Sequence, residues 1–236
     1  MTRAVVFGLL AAAVLYWGIP WLWAEVLRAR LRRRAARSKK LVLTFDDGPG
    51  DRLTPILLDL LHPSRSRATF FLLGRNIPGR EPVVRRIAAE GHEIGAHGYD
   101  HLHYWKTGPL RTLRDIQKGW RAIDRVLGRQ GGVYPFRPPY GKMNLVCLVY
   151  LLLRRAPIVY WTEDSGDTWP AERRVAPGPA SPVDPPGAVV LLHDFDRAKV
   201  EGNERVVGSV ATRVRQTLEA GLPIVTASDL LQGRRA

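Results

Sequence analysis

From residue 41 onward the chain alternates short β-rich runs with stretches of helical periodicity, and this alternation restricts the fold more tightly than anything else in the sequence. Strand candidates fall at residues 41–45, 68–73, 92–96, 133–137, 157–161, 188–192 and 222–226. Between the first two, Thr54 and Pro55 read as the N-cap and first residue of a helix whose buried stripe is Ile56, Leu57, Leu60 and Leu61. Further helices are expected at 82–90, stopped by Gly91, and at 144–154 and 204–220. Leu110, Leu113, Ile116, Trp120, Ile123 and Leu127 recur at helical spacing and make 110–127 the clearest amphipathic helix. Residues 171–186, rich in Pro and Gly, read as a surface loop. Strands joined by helical crossovers run parallel. Seven strand candidates exceed a small open sheet and nearly suffice to close a (β/α) barrel, whose active site occupies the C-terminal ends of the strands.

Five polar segments follow strand candidates at that end: TFDDGP at 44–49, HGYDH at 97–101, RPPYG at 137–141, DSGDTW at 164–169 and LLHD at 191–194. Asp46 and Asp47 are adjacent carboxylates that repel unless a cation or strong donor compensates one of them. Taken alone, Asp-Asp-Gly-Pro is also a good solvent turn. His97 and His101, four residues apart, are expected on one face of a helical turn, both offering an imidazole nitrogen to one ion. With one carboxylate they form a two-histidine set that leaves positions open for water and substrate. Zn²⁺ suits such ligands, and Co²⁺, Mn²⁺, Fe²⁺ or Ni²⁺ are also admitted. Arg137 precedes two prolines that hold the backbone extended, giving its guanidinium a fixed launch point toward a carboxylate. His193, far in sequence from the other two histidines, suits a general acid better than a third ligand.

The N-terminal part obeys different rules. Residues 4–23 form an uncharged run that as a helix reaches about 30 Å, the thickness of a hydrocarbon core. Tyr16, Trp17, Trp21 and Trp23 crowd its end, as aromatic residues do at a bilayer interface, and Pro20 is placed to kink the last turn. A cleaved signal peptide is the rival reading, opposed by the length of the run and the lack of a small-x-small site. Eight basic residues follow between Arg28 and Lys40, so residues 1–40 read as one transmembrane helix with a basic stem, and 41–236 as a single catalytic domain. Net charge is +14, but leaving out this block, Arg3 and Glu25 reduces 36 basic and 22 acidic residues to 27 and 21. The remaining +6 is too mild to indicate a nucleic-acid partner. With only Arg3 before the helix, the positive-inside rule places the domain on the cytoplasmic face of the membrane. The single cysteine, Cys147, excludes a disulfide framework and a thiolate metal site.

These segments, in this order and with ATFFLLG at 68–74 and GHEIGAH at 91–97, resemble the polysaccharide deacetylases with a NodB homology domain, carbohydrate esterase family 4. The resemblance implies a distorted (β/α) barrel and metal-dependent removal of an acetyl group from an N-acetylhexosamine in a polysaccharide, peptidoglycan or lipid-linked glycan. It implies Asp46 as base, Asp47, His97 and His101 as metal ligands, and Arg137 as the group that orients the base. The Tyr140 amide becomes the donor to the oxyanion, Leu191 a wall of the acetyl-methyl pocket, His193 the general acid and Trp169 a groove wall. Asp167 is the preferred partner of His193, with Asp164 its competitor. Two departures stand out: Gly98 replaces the usual Ser or Thr of the metal segment, removing a supporting hydroxyl bond, and Thr168 separates Asp167 from Trp169. The alternative is a membrane-tethered carbohydrate-binding pseudoenzyme on the same fold.

Overall fold

The computed structural model describes residues 2–168, 184–196 and 200–233. Its centre is a parallel sheet of β1 (Val42–Asp46), β2 (Thr69–Leu72), β3 (Glu93–Ala96), β4 (Glu163–Asp164) and β5 (Val189–His193), in the order β3-β2-β1-β5-β4. Phe136 bridges Ala96 on one side and Ile158 on the other. The chain from 157 to 165 then carries the ring round: Val159 N–H donates to the Phe136 carbonyl at 2.9 Å, Thr162 N–H to Val189 at 2.9 Å and Ser165 N–H to Leu191 at 3.1 Å. The sheet therefore closes on itself as a distorted barrel, with its regular ladder centred on β1.

Three strand candidates, 133–137, 157–161 and 222–226, are reduced to isolated bridges, and each contains a proline, Pro135, Pro157 or Pro223. A proline withholds a ladder N–H, so pairing survives only at single positions. β1 and β2, free of proline, are buried throughout, as expected of parallel strands covered on both faces.

Around the barrel run α3 (Leu53–Leu61), α4 (Glu81–Ala89), α5 (Pro109–Leu127), α6 (Leu145–Leu153), α7 (Val200–Glu219) and α8 (Ala227–Gln232). Thr54 is not the N-cap of α3. The helix begins at Leu53, two residues before the expected Pro55, and the backbone N–H groups of Asp51, Arg52 and Leu53 at its start donate to the Asp196 carboxylate from across the barrel mouth. On α5 the buried face is Asp115, Ile116, Gly119, Trp120 and Ile123, whereas Leu110 is exposed. The short α8 starts at Thr226, whose hydroxyl accepts from Asp229 N–H at 3.1 Å.

The N-terminal segment is one continuous helix: α1 (Thr2–Ala13), a π turn at Val14–Gly18 and α2 (Ile19–Ser38). The π turn lies just before Pro20, and Ile19 N–H reaches back five residues to the Val14 carbonyl. The stretch Val5–Ser38 contains a window long and apolar enough to cross a membrane, by length and composition. The basic stem is docked on the barrel along one face: Ala24, Leu31 and Ala35 are buried, and Arg28 donates to the Gly141 carbonyl at 3.0 Å while stacking 4.3 Å above the Tyr160 ring, whereas Arg30, Arg32, Arg33, Arg34 and Arg37 are exposed.

Candidate active site

Asp46 ends β1 at the barrel mouth and Asp47 follows it, beside a cavity of about 680 Å³ that both line. Asp46 is almost wholly buried. Its carboxylate accepts from Arg137 Nη1 at 2.8 Å. Arg137 is fully buried and donates also to Thr44 Oγ1 at 2.7 Å and to the carbonyls of Val159 and Tyr160, while its guanidinium lies 4.2 Å from the centre of the Phe71 ring. Burial pushes the Asp46 pKa up to about 6 despite the opposing charges of Arg137 and His193.

His97 and His101 follow β3, but they do not share a helical turn. The segment is an irregular loop in which Gly98 and His101 have φ of +79° and +57°. This reversal brings the rings to 5.1 Å between centroids. Asp47, itself at φ +71°, points Oδ1 at both: 3.4 Å to His101 Nε2 and 3.7 Å to His97 Nε2. Three potential ligand atoms from these residues lie within 4.8 Å of one another. His97 Nδ1 is 2.7 Å from the Arg137 carbonyl, which fixes its N–H there and leaves Nε2 as the bare lone pair. Asp47 Oδ1 is buried without a hydrogen-bond partner. A buried acceptor with two imidazole nitrogens facing it fits a divalent cation. Burial holds His97 well below the usual histidine range and His101 down at about 4, so both are neutral and available as ligands.

The loop is held by a residue that sequence reasoning missed. Asp115, buried on the inner face of α5, accepts from Tyr99 N–H at 3.1 Å, Asp100 N–H at 2.8 Å and the Tyr104 hydroxyl at 2.8 Å. A Cβ on Gly98 would collide with the Asp115 carboxylate and approach the Tyr104 hydroxyl. The space a side chain at residue 98 would take is thus filled by the Asp115 carboxylate and the Tyr104 hydroxyl that donates to it. An acidic residue within the apolar stripe of α5 was the available signal.

Across the mouth, His193 ends β5, and Asp167 receives it twice: the backbone N–H donates to Oδ2 at 2.8 Å and ring Nδ1 lies 2.8 Å from Oδ1. Asp164 instead accepts from Gly166 N–H within its own turn, so Asp167 is the carboxylate that meets His193. Burial opposes the imidazolium, but the Asp167 hydrogen bond and charge prevail and carry the His193 pKa up to about 9. Leu191 and Tyr140 line the same cavity. Tyr140 has φ +57°, and its ring packs 4.5 Å from that of His101. Trp169 lies outside the described residues. Trp161, at the end of a strand candidate, does line the cavity and was not anticipated.

Residues 33–151 match the family model described as polysaccharide deacetylase. A peptidoglycan-N-acetylglucosamine deacetylase of Listeria monocytogenes is 31% identical over 84% of the chain, which spans only 40% of that relative's length. One from Bacillus cereus is 31% identical, with 82% of this chain and 89% of that protein covered. Among solved structures, a peptidoglycan N-acetylglucosamine deacetylase superposes with a TM-score of 0.66 at 29% identity, covering 82% of this chain and 88% of the other. With this much of both chains aligned, and the paired carboxylates and histidines gathered at one barrel mouth, the chain belongs to the polysaccharide deacetylase family.

Proposed function

We propose that the protein is a metal-dependent deacetylase that hydrolyses the acetamide of an N-acetylhexosamine in a glycan. The observation that carries this reading is the convergence of Asp47, His97 and His101 donor atoms within 4.8 Å, between the Arg137-bound Asp46 on one side and the Asp167-bound His193 on the other. A divalent ion held by those three residues, Zn²⁺ or one of Co²⁺, Mn²⁺, Fe²⁺ and Ni²⁺, supplies Lewis-acid polarisation of the acetyl carbonyl and acidifies a water.

The chain's own groups do the rest. Asp46, fixed by Arg137, takes the proton of the attacking water. The Tyr140 N–H donates to the developing oxyanion, and Leu191 walls the acetyl methyl group. His193, kept protonated by Asp167, delivers its Nε2 proton to the departing amine. Acetate and a free amino sugar result.

The N-terminal helix anchors the chain in a membrane as a single span. The charge bias around it supports a domain on the cytoplasmic face, where a lipid-linked or nucleotide-linked N-acetyl sugar is the natural target. Incubating the full chain with Zn²⁺ and N-acetylglucosamine oligomers tests the activity: acetate release that stops in Asp46→Asn supports it. Oligomer binding by the metal-loaded chain with no acetate formed would leave a carbohydrate-binding pseudoenzyme.

A further inference from the structure

One arginine of the basic stem is set apart from its neighbours. Ala24, Arg28, Leu31 and Ala35 recur at helical spacing and share the face of α2 that packs on the barrel. Arg30, Arg32, Arg33, Arg34 and Arg37 are exposed, in keeping with a charge block beside a membrane. The Arg28 side chain is only 18% exposed. Turning a guanidinium inward costs desolvation, which a charge block does not require.

Its partners explain the placement. Glu25, one turn earlier, accepts from Nη1 at 2.5 Å, and Nη2 donates to the Gly141 carbonyl at 3.0 Å. The guanidinium also lies 4.3 Å from the centre of the Tyr160 ring. Both barrel partners belong to the frame of the active site. The Tyr160 carbonyl accepts from Nη2 of Arg137, whose Nη1 holds Asp46. Gly141 lines the site cavity and directly follows Tyr140.

The turn at Pro139–Gly141 needs such support. Tyr140 and Gly141 take φ of +57° and +63°, two successive left-handed residues, of which only the glycine adopts that state without strain. Local bonds close the turn, from Gly141 N–H to the Pro138 carbonyl at 2.9 Å and from Lys142 N–H to the Pro139 carbonyl at 3.1 Å. Arg28 adds a bond from outside it. The fit is close on two sides, since a Cβ on Gly141 would lie 3.0 Å from Arg28 Nη2 and 3.0 Å from the Trp161 ring. An uncommon backbone state persists where its surroundings over-determine it, and the stem supplies part of that constraint.

The helix is fixed on both sides of Arg28. Toward its N-terminus, Tyr16 Oη donates to the Thr107 carbonyl at 3.2 Å and Trp17 Nε1 to the Trp105 carbonyl at 3.0 Å. Toward its C-terminus, Ala35 packs so tightly that a Cβ on Gly187 would sit 2.5 Å from its carbonyl oxygen. Arg28 precedes residue 33, where the match to the family model begins, so the contact comes from the anchor part of the chain.

Resting on the deacetylase reading, in which the Tyr140 N–H meets the oxyanion, we infer that Arg28 is a positioning residue for the reaction: through the Gly141 carbonyl, the stem of the N-terminal helix fixes the turn that presents the Tyr140 N–H. The anchor is then part of the catalytic frame as well as a tether.

The test uses the full chain loaded with Zn²⁺, with N-acetylglucosamine oligomers as substrate. Arg28→Ala is expected to lower kcat by about tenfold with KM and metal stoichiometry unchanged, the pattern of an interaction felt in the transition state alone. Arg32→Ala, which removes an exposed charge from the same helix, should match the parent. Parental kcat in Arg28→Ala overturns the inference, as does an equal loss in Arg32→Ala, a loss that follows metal content, or a rise in KM alone. Should Arg28→Ala fail to fold, Arg28→Lys decides, because it keeps the charge but gives up the planar fork that stacks on Tyr160 while reaching Gly141. A kcat below the parent's at unchanged KM supports the positioning role, and a parental kcat overturns it. Absence of acetate in the parent would defeat the deacetylase reading itself, whereas equal acetate release from the parent and Arg28→Ala defeats this inference alone.

Discussion

The two sides of the barrel mouth treat histidine in opposite ways. On one side His97 is buried and His101 half-buried beside it, and desolvation keeps them neutral, the His101 pKa down at about 4. On the other, His193 is also largely desolvated but meets the Asp167 carboxylate through both its ring and its backbone, and its pKa rises to about 9. Burial alone does not set the protonation state. A dedicated carboxylate on Nδ1 makes an acid, whereas a backbone carbonyl in the same position, as Arg137 offers His97, leaves a neutral ligand. The mouth is thereby divided into a metal side and a proton-delivering side, with Asp46 between them.

Exchanging or removing either side's features tests this division. The largest effects belong to the metal side and the base: His97→Ala or His101→Ala should abolish stoichiometric metal and with it acetate release. Asp46→Asn should lower turnover by roughly two to four orders of magnitude while leaving metal content intact. Parallel loss of metal and activity in Asp46→Asn would move Asp46 into the ligand set.

Next comes Asp167→Asn. Its native carboxylate holds His193 charged below about 9, so the alkaline limb of the rate profile should lie near that pH and shift downward in the variant, with turnover reduced at neutral pH. The sign for stability is the same. A histidine raised above its unfolded value contributes stability that is complete below about 6.5 and lost as pH rises through about 9. An unmoved alkaline limb, read from acetate release against pH, would detach Asp167 from the role of His193.

Smaller effects come from the loop support. Asp115→Asn should weaken metal affinity by about tenfold, measured by chelator competition, because the N–H groups of Tyr99 and Asp100 lose a charged acceptor. Gly98→Ala should cost about 1 kcal/mol or more in thermal unfolding, since residue 98 is held at φ +79° against the Asp115 carboxylate.

How far the sequence foretold this follows the same line between local and distant causes. Strand-helix alternation and the polar segments past each strand were legible because each rests on neighbouring residues: the VLTFD run of β1 leads straight into Asp46 and Asp47. The placement of His97 and His101 was legible only as proximity. Their spacing suggested a helical turn, but the loop takes its shape from Asp115, on a different element and more than a dozen residues away. The start of α3 was misread for the same reason, because its acceptor, Asp196, arrives from beyond β5. The stem hid in the opposite way. Its charge pattern described solvent-facing arginines and concealed the small and apolar residues, Ala24, Leu31 and Ala35, that fasten it to the barrel.

Metal content measures the central claim most directly. Full-length protein saturated with Zn²⁺ and dialysed should retain one ion per chain, and His97→Ala, His101→Ala and Asp47→Ala should each retain none while still folded by circular dichroism. Undiminished stoichiometry in those variants, or no retained ion in the parent, would contradict a site in which these three side chains close around one cation.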